Sequence, residues 1–135
     1  AQGVLNNTLK TFTDNGIPAN QVIAWLGPAI SQSAFEVGPE VKLAFEVFES
    51  GDRWADRGCF VEGINDRLQG DIYRVATLQL EQVGINDIFG AGKEYDFCTF
   101  SDLDEERESR FFSDRREAIT GRQASMIWLD NSLVT

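Results

Sequence analysis

Arg115, Arg116 and Arg122 form a cationic cluster in an otherwise acidic chain. A guanidinium presents a planar fork that grips carboxylate or phosphate oxygens two at a time, so the Arg115-Arg116 pair points to an anionic ligand. Read as a strand, Phe111 to Glu117 would send the two side chains to opposite faces, leaving at most one for any pocket. The competing reading pairs them with Asp114, Glu117 or the charged run DLDEERESR from Asp102 to Arg110. Glu36, Glu40 and Asp71 are the candidate carboxylates for acid–base chemistry, but spacing alone brings no two of them together. Glu40 and Asp71 each fall at an expected helix start, where capping or dipole stabilisation explains them more simply.

The chain has no histidine. That excludes Ser-His-Asp and Cys-His triads, a histidine base and histidine-containing zinc sites within it. Cys59 and Cys98 form no C-x-x-C pair, so a zinc ribbon or thioredoxin-type site is excluded too. Two buried reduced thiols are expected in preference to a disulfide. The stretch Gly90-Ala91-Gly92-Lys93 is too short for a P-loop. Trp25, Trp54 and Trp128 are expected in the core.

A helix is expected over Val4, Leu5, Leu9 and Phe12, ended by Gly16 in a left-handed cap. Gln21 to Leu26 reads as a buried strand, and Phe35 and Val37 alternate in a second short one. Pro39 opens a helix over PEVKLAFEVFES that is apolar on much of its surface. Gly51 to Gly63 reads as a loop containing Cys59-Phe60. Asp71 to Val83 is the clearest helix, with Ile72, Val75, Ala76, Leu80 and Val83 on one face and Gly84 as its cap. Ile85 to Phe89, Tyr95 to Phe100, Phe111 to Glu117 and Gln123 to Leu129 read as strands, and DLDEERESR as a solvated loop or short helix.

Strands and helices mix without strict alternation, which predicts α+β rather than a doubly wound sheet. With 135 residues and 42% hydrophobic content, one domain and one real core are expected. Twelve basic against twenty-two acidic residues give a formal charge of −10. Such a surface repels phosphate backbones and anionic lipids, so neither nucleic acid nor membrane is an expected partner. No apolar run approaches the ~20 residues of a membrane span, and AQGVLNNTLK lacks signal-peptide features. The start without methionine reads as a processed chain or a piece of a longer one.

The ordered segments WLGPAI (Trp25–Ile30), FEVG (Phe35–Gly38) with Glu40-Val41, and DIYR (Asp71–Arg74) come first. CTFS (Cys98–Ser101), FFS (Phe111–Ser113) with Arg115-Arg116, TGRQAS (Thr120–Ser125) and IWL (Ile127–Leu129) follow. Together they resemble the C-terminal half of the multicopper polyphenol oxidoreductase (laccase-type) family. That family is also described as YfiH-like, as bacterial purine nucleoside phosphorylase and as peptidoglycan-editing factor. The resemblance runs from Ala1 to about Leu129. It implies a layered αββα arrangement of mixed sheets and helices. It also implies a cytoplasmic enzyme with phosphorolysis of adenosine, inosine and guanosine, adenosine deamination and, in an older description, copper-dependent phenol oxidation.

The resemblance further implies a zinc (or copper) centre of one cysteine and two histidines, in segments upstream of this chain. No metal ligand or catalytic residue is thereby assigned here, because Cys98 matches a different cysteine of the family. What remains for this half is the wall of a substrate pocket for purine nucleosides and phosphate, with Arg115, Arg116 and Glu36 as the expected substrate-binding residues. The missing N-terminal half, or a second copy, is the expected partner. The alternative is a non-catalytic acidic protein-interaction module diverged from that family.

Overall fold

The computed structural model describes residues 3–48 and 57–126. Helix α1 spans Val4–Asp14. It ends where expected: Gly16, at φ +81°, donates to the Thr13 carbonyl, and Ile17 donates to that of Phe12. This pair of bonds satisfies the last carbonyls of the helix and needs a residue at ease in the left-handed region. Helix α3, Ile72–Gln82, ends the same way at Gly84 and Ile85. It begins on Asp71, whose carboxylate accepts the Arg74 amide at 2.9 Å. Helix α2 covers Pro39–Phe48, with Glu40 in its first turn.

Among the described residues, five short strands form two sheets. β1 (Ala24–Leu26) pairs in parallel with β5 (Ile88–Gly90), placing Trp25 beside Phe89. β2 (Glu36–Val37), β4 (Leu68–Gly70) and β3 (Phe60–Glu62) form an antiparallel sheet in the order β2-β4-β3. The β3–β4 hairpin turns on Asn65 and Asp66, both left-handed, between Ile64 and Arg67. Asn and Asp tolerate that region because their short side chains bond locally. Mixed parallel and antiparallel sheets with helices make the fold α+β.

α3 joins the two halves. Its Val75 and Leu78 pack with Val37, Cys59, Phe60 and Phe45 over the antiparallel sheet. Its Leu80 and Val83 pack with Leu9, Ile85, Ile88 and Leu26 against α1 and the parallel pair. Such placement requires apolar residues on more than one stripe of the helix.

Several expected elements differ. The buried strand Gln21 to Leu26 shrinks to three residues. Ala24 and Leu26 face the core, so the pleat sends Trp25 outward, where it is 56% exposed. α2 is half-buried rather than wrapped, and its Leu43 is exposed. The stretch read as a loop up to Gly63 contains β3. Ile85 to Phe89 contributes a strand only from Ile88.

Tyr95 to Phe100 makes no strand: the Thr99 amide donates to Ala29 O and the Asp102 amide to Cys98 O, so its bonds serve turns and a loop crossing. Tyr95 and Phe97 still share a side, with rings stacked at 5.5 Å. Phe111 to Glu117 is a turn, closed by the Arg116 and Glu117 amides on Ser113 O. Asp102 to Arg110 is the solvated loop expected, tied across Asp104 and Glu108. Residues 123–126 lie outside any strand. Trp54, Trp128 and the rest of that expected strand fall outside the described residues.

Candidate functional site

Three irregular segments converge beside the antiparallel sheet: Gly27 to Ser31, Phe97 to Asp102 and Phe111 to Glu117. Tyr73, on the buried side of α3, fixes two of them. Its hydroxyl accepts the Ala29 amide at 2.6 Å and lies 3.0 Å from the Phe97 carbonyl, to which it donates. Burial pushes this phenol above its ordinary value.

Arg116 fixes the third segment. Its guanidinium donates to the carbonyls of Thr99 (3.1 Å), Phe100 (2.9 Å) and Phe111 (2.7 Å), and to the Glu117 carboxylate at 2.8 and 3.0 Å. Its fork is spent inside the protein. The pairing with Glu117 weighed from the sequence is present. Arg110 caps the same region from outside, over the Phe97 and Phe111 rings at 5.0 and 5.6 Å.

Arg115 is placed differently. One nitrogen donates to the Glu36 carbonyl at 2.9 Å, and the guanidinium carbon sits 5.5 Å from the Phe35 ring centre. The residue is exposed, and its other donors are uncommitted among the described residues. Arg115 and Glu36 are thus brought together, through the backbone of Glu36. Arg115, but not Glu36, lines a cavity of about 270 Å³ together with Ile30, Phe35, Thr99, Phe112, Ser113 and Asp114. Among the described residues, Arg122 bonds only the nearby carbonyls of Thr120 and Gly121.

The other carboxylates stand elsewhere. Glu40 folds over Gly38, where a Cβ would collide with it. Asp71 caps α3 and borders a second cavity of about 250 Å³ with Arg74, Lys93 and Asp96.

Both described cysteines are free and buried. Cys59 is raised by burial, which the nearby Arg74 only partly offsets. Cys98 behaves oppositely. Burial pushes it up, but hydrogen bonds from Ser101 and Ser31 outweigh that and bring it to about 7. The Ser31 amide lies 3.3 Å from Sγ.

Among the described residues no group of three His, Cys, Asp or Glu could hold a metal ion. The residues present therefore do not fit the expected centre, and no ligand set is assigned to them. Also among the described residues, no helix is long and apolar enough to cross a membrane.

Tyr73 and Ser113 were not singled out by their chemistry. The buried residues Tyr73, Thr77 and Leu80 follow an i, i+4, i+7 stripe. That stripe was available in the sequence and marks the face better than Ile72, which is exposed.

An α+β module with an arginine at the mouth of an aromatic-walled cavity is the class that fold and site define. Residues 1–130 match the family model described as multi-copper polyphenol oxidoreductase laccase. The chain belongs to that family. It is 42% identical over 132 residues to a purine nucleoside phosphorylase of Pseudomonas aeruginosa, covering 97% of this chain and 48% of that one. It is 43% identical over 127 residues to the purine nucleoside phosphorylase YfiH of Escherichia coli, covering 94% and 45%.

Among crystal structures, a Neisseria meningitidis protein of the DUF152 family superposes with a TM-score of 0.64 at 35% identity, over 84% of this chain and 40% of that one. A Bacillus licheniformis protein, also called YfiH, shares the fold with a TM-score of 0.68 at 20% identity, over 84% and 39%. The chain spans about half the length of the curated relatives it matches.

Proposed function

We propose that the chain is the phosphate-holding part of a cytoplasmic purine nucleoside phosphorylase, with Arg115 as the anion ligand. The observation that carries this reading is Arg115 itself. One donor and the face of the guanidinium are fixed by Glu36 O and Phe35, and among the described residues the remaining donors have no partner. A pre-oriented fork loses less freedom on gripping an oxyanion. Arg116 acts as a positioning residue that holds the turn carrying Arg115. The names of the relatives supply the reaction class.

In phosphorolysis, a hydrogen phosphate oxygen attacks the ribose C1′. The C1′–N9 bond breaks and its electron pair leaves with the base. The phosphate's proton ends on the base, giving ribose 1-phosphate and free purine. Arg115 would orient the attacking phosphate and neutralise part of its charge, which makes the encounter effectively intramolecular. The metal expected of the family, zinc or copper, would be held by the other half of the relatives' length. No step here runs through it.

Kinetics of the full-length enzyme test the reading. Arg115→Ala should raise the phosphate KM at least about tenfold, the loss of one charge-assisted contact. Arg116→Ala should raise it less and lower stability as well. An unchanged phosphate KM in both variants overturns the assignment. Absence of phosphorolysis in the unsubstituted protein would favour the acidic interaction module instead.

A further inference from the structure

The arginine occupies only one end of the cavity. Ile30, Phe35 and Phe112 make an apolar, aromatic wall, while Thr99, Ser113 and Asp114 supply polar groups. Ser113 is only 6% exposed and lines the cavity. A hydroxyl can both donate to and accept from a ligand hydroxyl. Asp114 has no ion-pair partner among the described residues and carries an acceptor-only carboxylate to the same rim.

These residues are consecutive. Phe112, Ser113, Asp114 and Arg115 line the cavity with an aromatic ring, a hydroxyl, a carboxylate and a guanidinium. The parts of a phosphorolysis complex are base, ribose and phosphate. An aromatic face suits a purine, hydroxyl and carboxylate suit ribose hydroxyls, and a guanidinium suits phosphate. The turn is rigid: Ser113 O takes two amides at 3.2 and 3.0 Å, and Arg116 clamps the segment from behind. Gly121 must lack a side chain for Phe112 to keep its place, since a Cβ there would lie 2.8 Å from the ring.

We propose that Phe112 to Arg115 is one continuous nucleoside-reading strip, with the purine against Phe112 and Phe35, the ribose hydroxyls on Ser113 and Asp114, and the phosphate on Arg115. This rests on the phosphorylase reading and deepens it by assigning the nucleoside to the same cavity.

Inosine and inorganic phosphate, each titrated calorimetrically into the full-length protein, test the strip independently of turnover. Phe112→Ala should weaken inosine binding about tenfold, the scale of one base–aromatic contact, with phosphate affinity unchanged. Ser113→Ala should weaken inosine binding about fivefold. Arg115→Ala should show the reverse pattern. Phe112 is 53% exposed, so its truncation should not disturb folding, and Phe112→Tyr should retain inosine binding.

Unchanged inosine affinity in both Phe112→Ala and Ser113→Ala overturns the strip. Equal losses for both ligands also overturn it. Phosphate binding without inosine binding in the unsubstituted protein overturns the strip and leaves the Arg115 assignment standing. Inosine binding that follows the predicted pattern without phosphorolysis supports the strip and overturns the reaction.

Discussion

Arg115 and Arg116 are neighbours with opposite duties, and stability separates them. Arg116 supplies three backbone carbonyls and one carboxylate from a mostly buried side chain. Arg116→Met should therefore cost about 2 kcal/mol, because the carbonyls lose a charged donor. Arg115→Met should cost less than about 0.5 kcal/mol, as for an exposed residue. Urea midpoints of both variants check this, and equal losses would refute it. Cys98 gives a second test at this scale. Its folded value of about 7 lies below the ordinary 9.0, so folding favours the thiolate. The stabilisation is complete above about pH 9 and is lost as pH falls through about 7. The stability advantage of the unsubstituted protein over Cys98→Ala should grow between pH 6.5 and 9. A flat difference would remove the hydrogen-bonded thiolate from the account.

At the level of elements, α3 decides whether the cavity exists. Tyr73 ties the Gly27–Ser31 and Phe97–Asp102 segments through a single hydroxyl. Tyr73→Phe leaves the Ala29 amide and the Phe97 carbonyl without that partner, which should cost about 1–3 kcal/mol. Because both segments border the site, the nucleoside KM should rise with it, and parallel denaturation and kinetics check the pairing. The helices were legible in the sequence because their signals are local: Gly16, Gly84, Pro39 and Asp71 mark ends that the structure keeps. Tyr95 to Phe100 and Phe111 to Glu117 were misread because alternation there reflects aromatic stacking and a turn, not a ladder. β3 was missed although Asn65-Asp66 is a hairpin signal, since three-residue strands carry almost no periodicity. The arginine pair was legible by type. Which arginine faces the cavity was not, because that depends on carbonyls at Thr99 and Phe100, brought close only by the fold.

For the molecule as a whole, the telling feature is the outer face of the parallel pair. Trp25 and Phe89 sit side by side in register and are 56% and 43% exposed, and Ile23 beside them is 69% exposed. Parallel strands normally lie buried on both faces. Here the inner face, with Ala24, Leu26 and Ile88, packs on Leu9 and Leu80, while among the described residues the outer one has no such cover. An apolar patch of this kind marks a surface that something covers. The relatives are about twice as long as this chain, so their remaining length is the natural cover. The 135-residue chain alone should therefore self-associate. Sedimentation velocity should show species heavier than 15.1 kDa that grow with concentration. Replacing Trp25 and Phe89 together by Lys should shift the population toward monomer. Because both side chains already point outward, the urea midpoint of that variant should change by less than about 1 kcal/mol equivalent. A chain that stays monomeric at all concentrations would mean that the aromatic pair is not an interface.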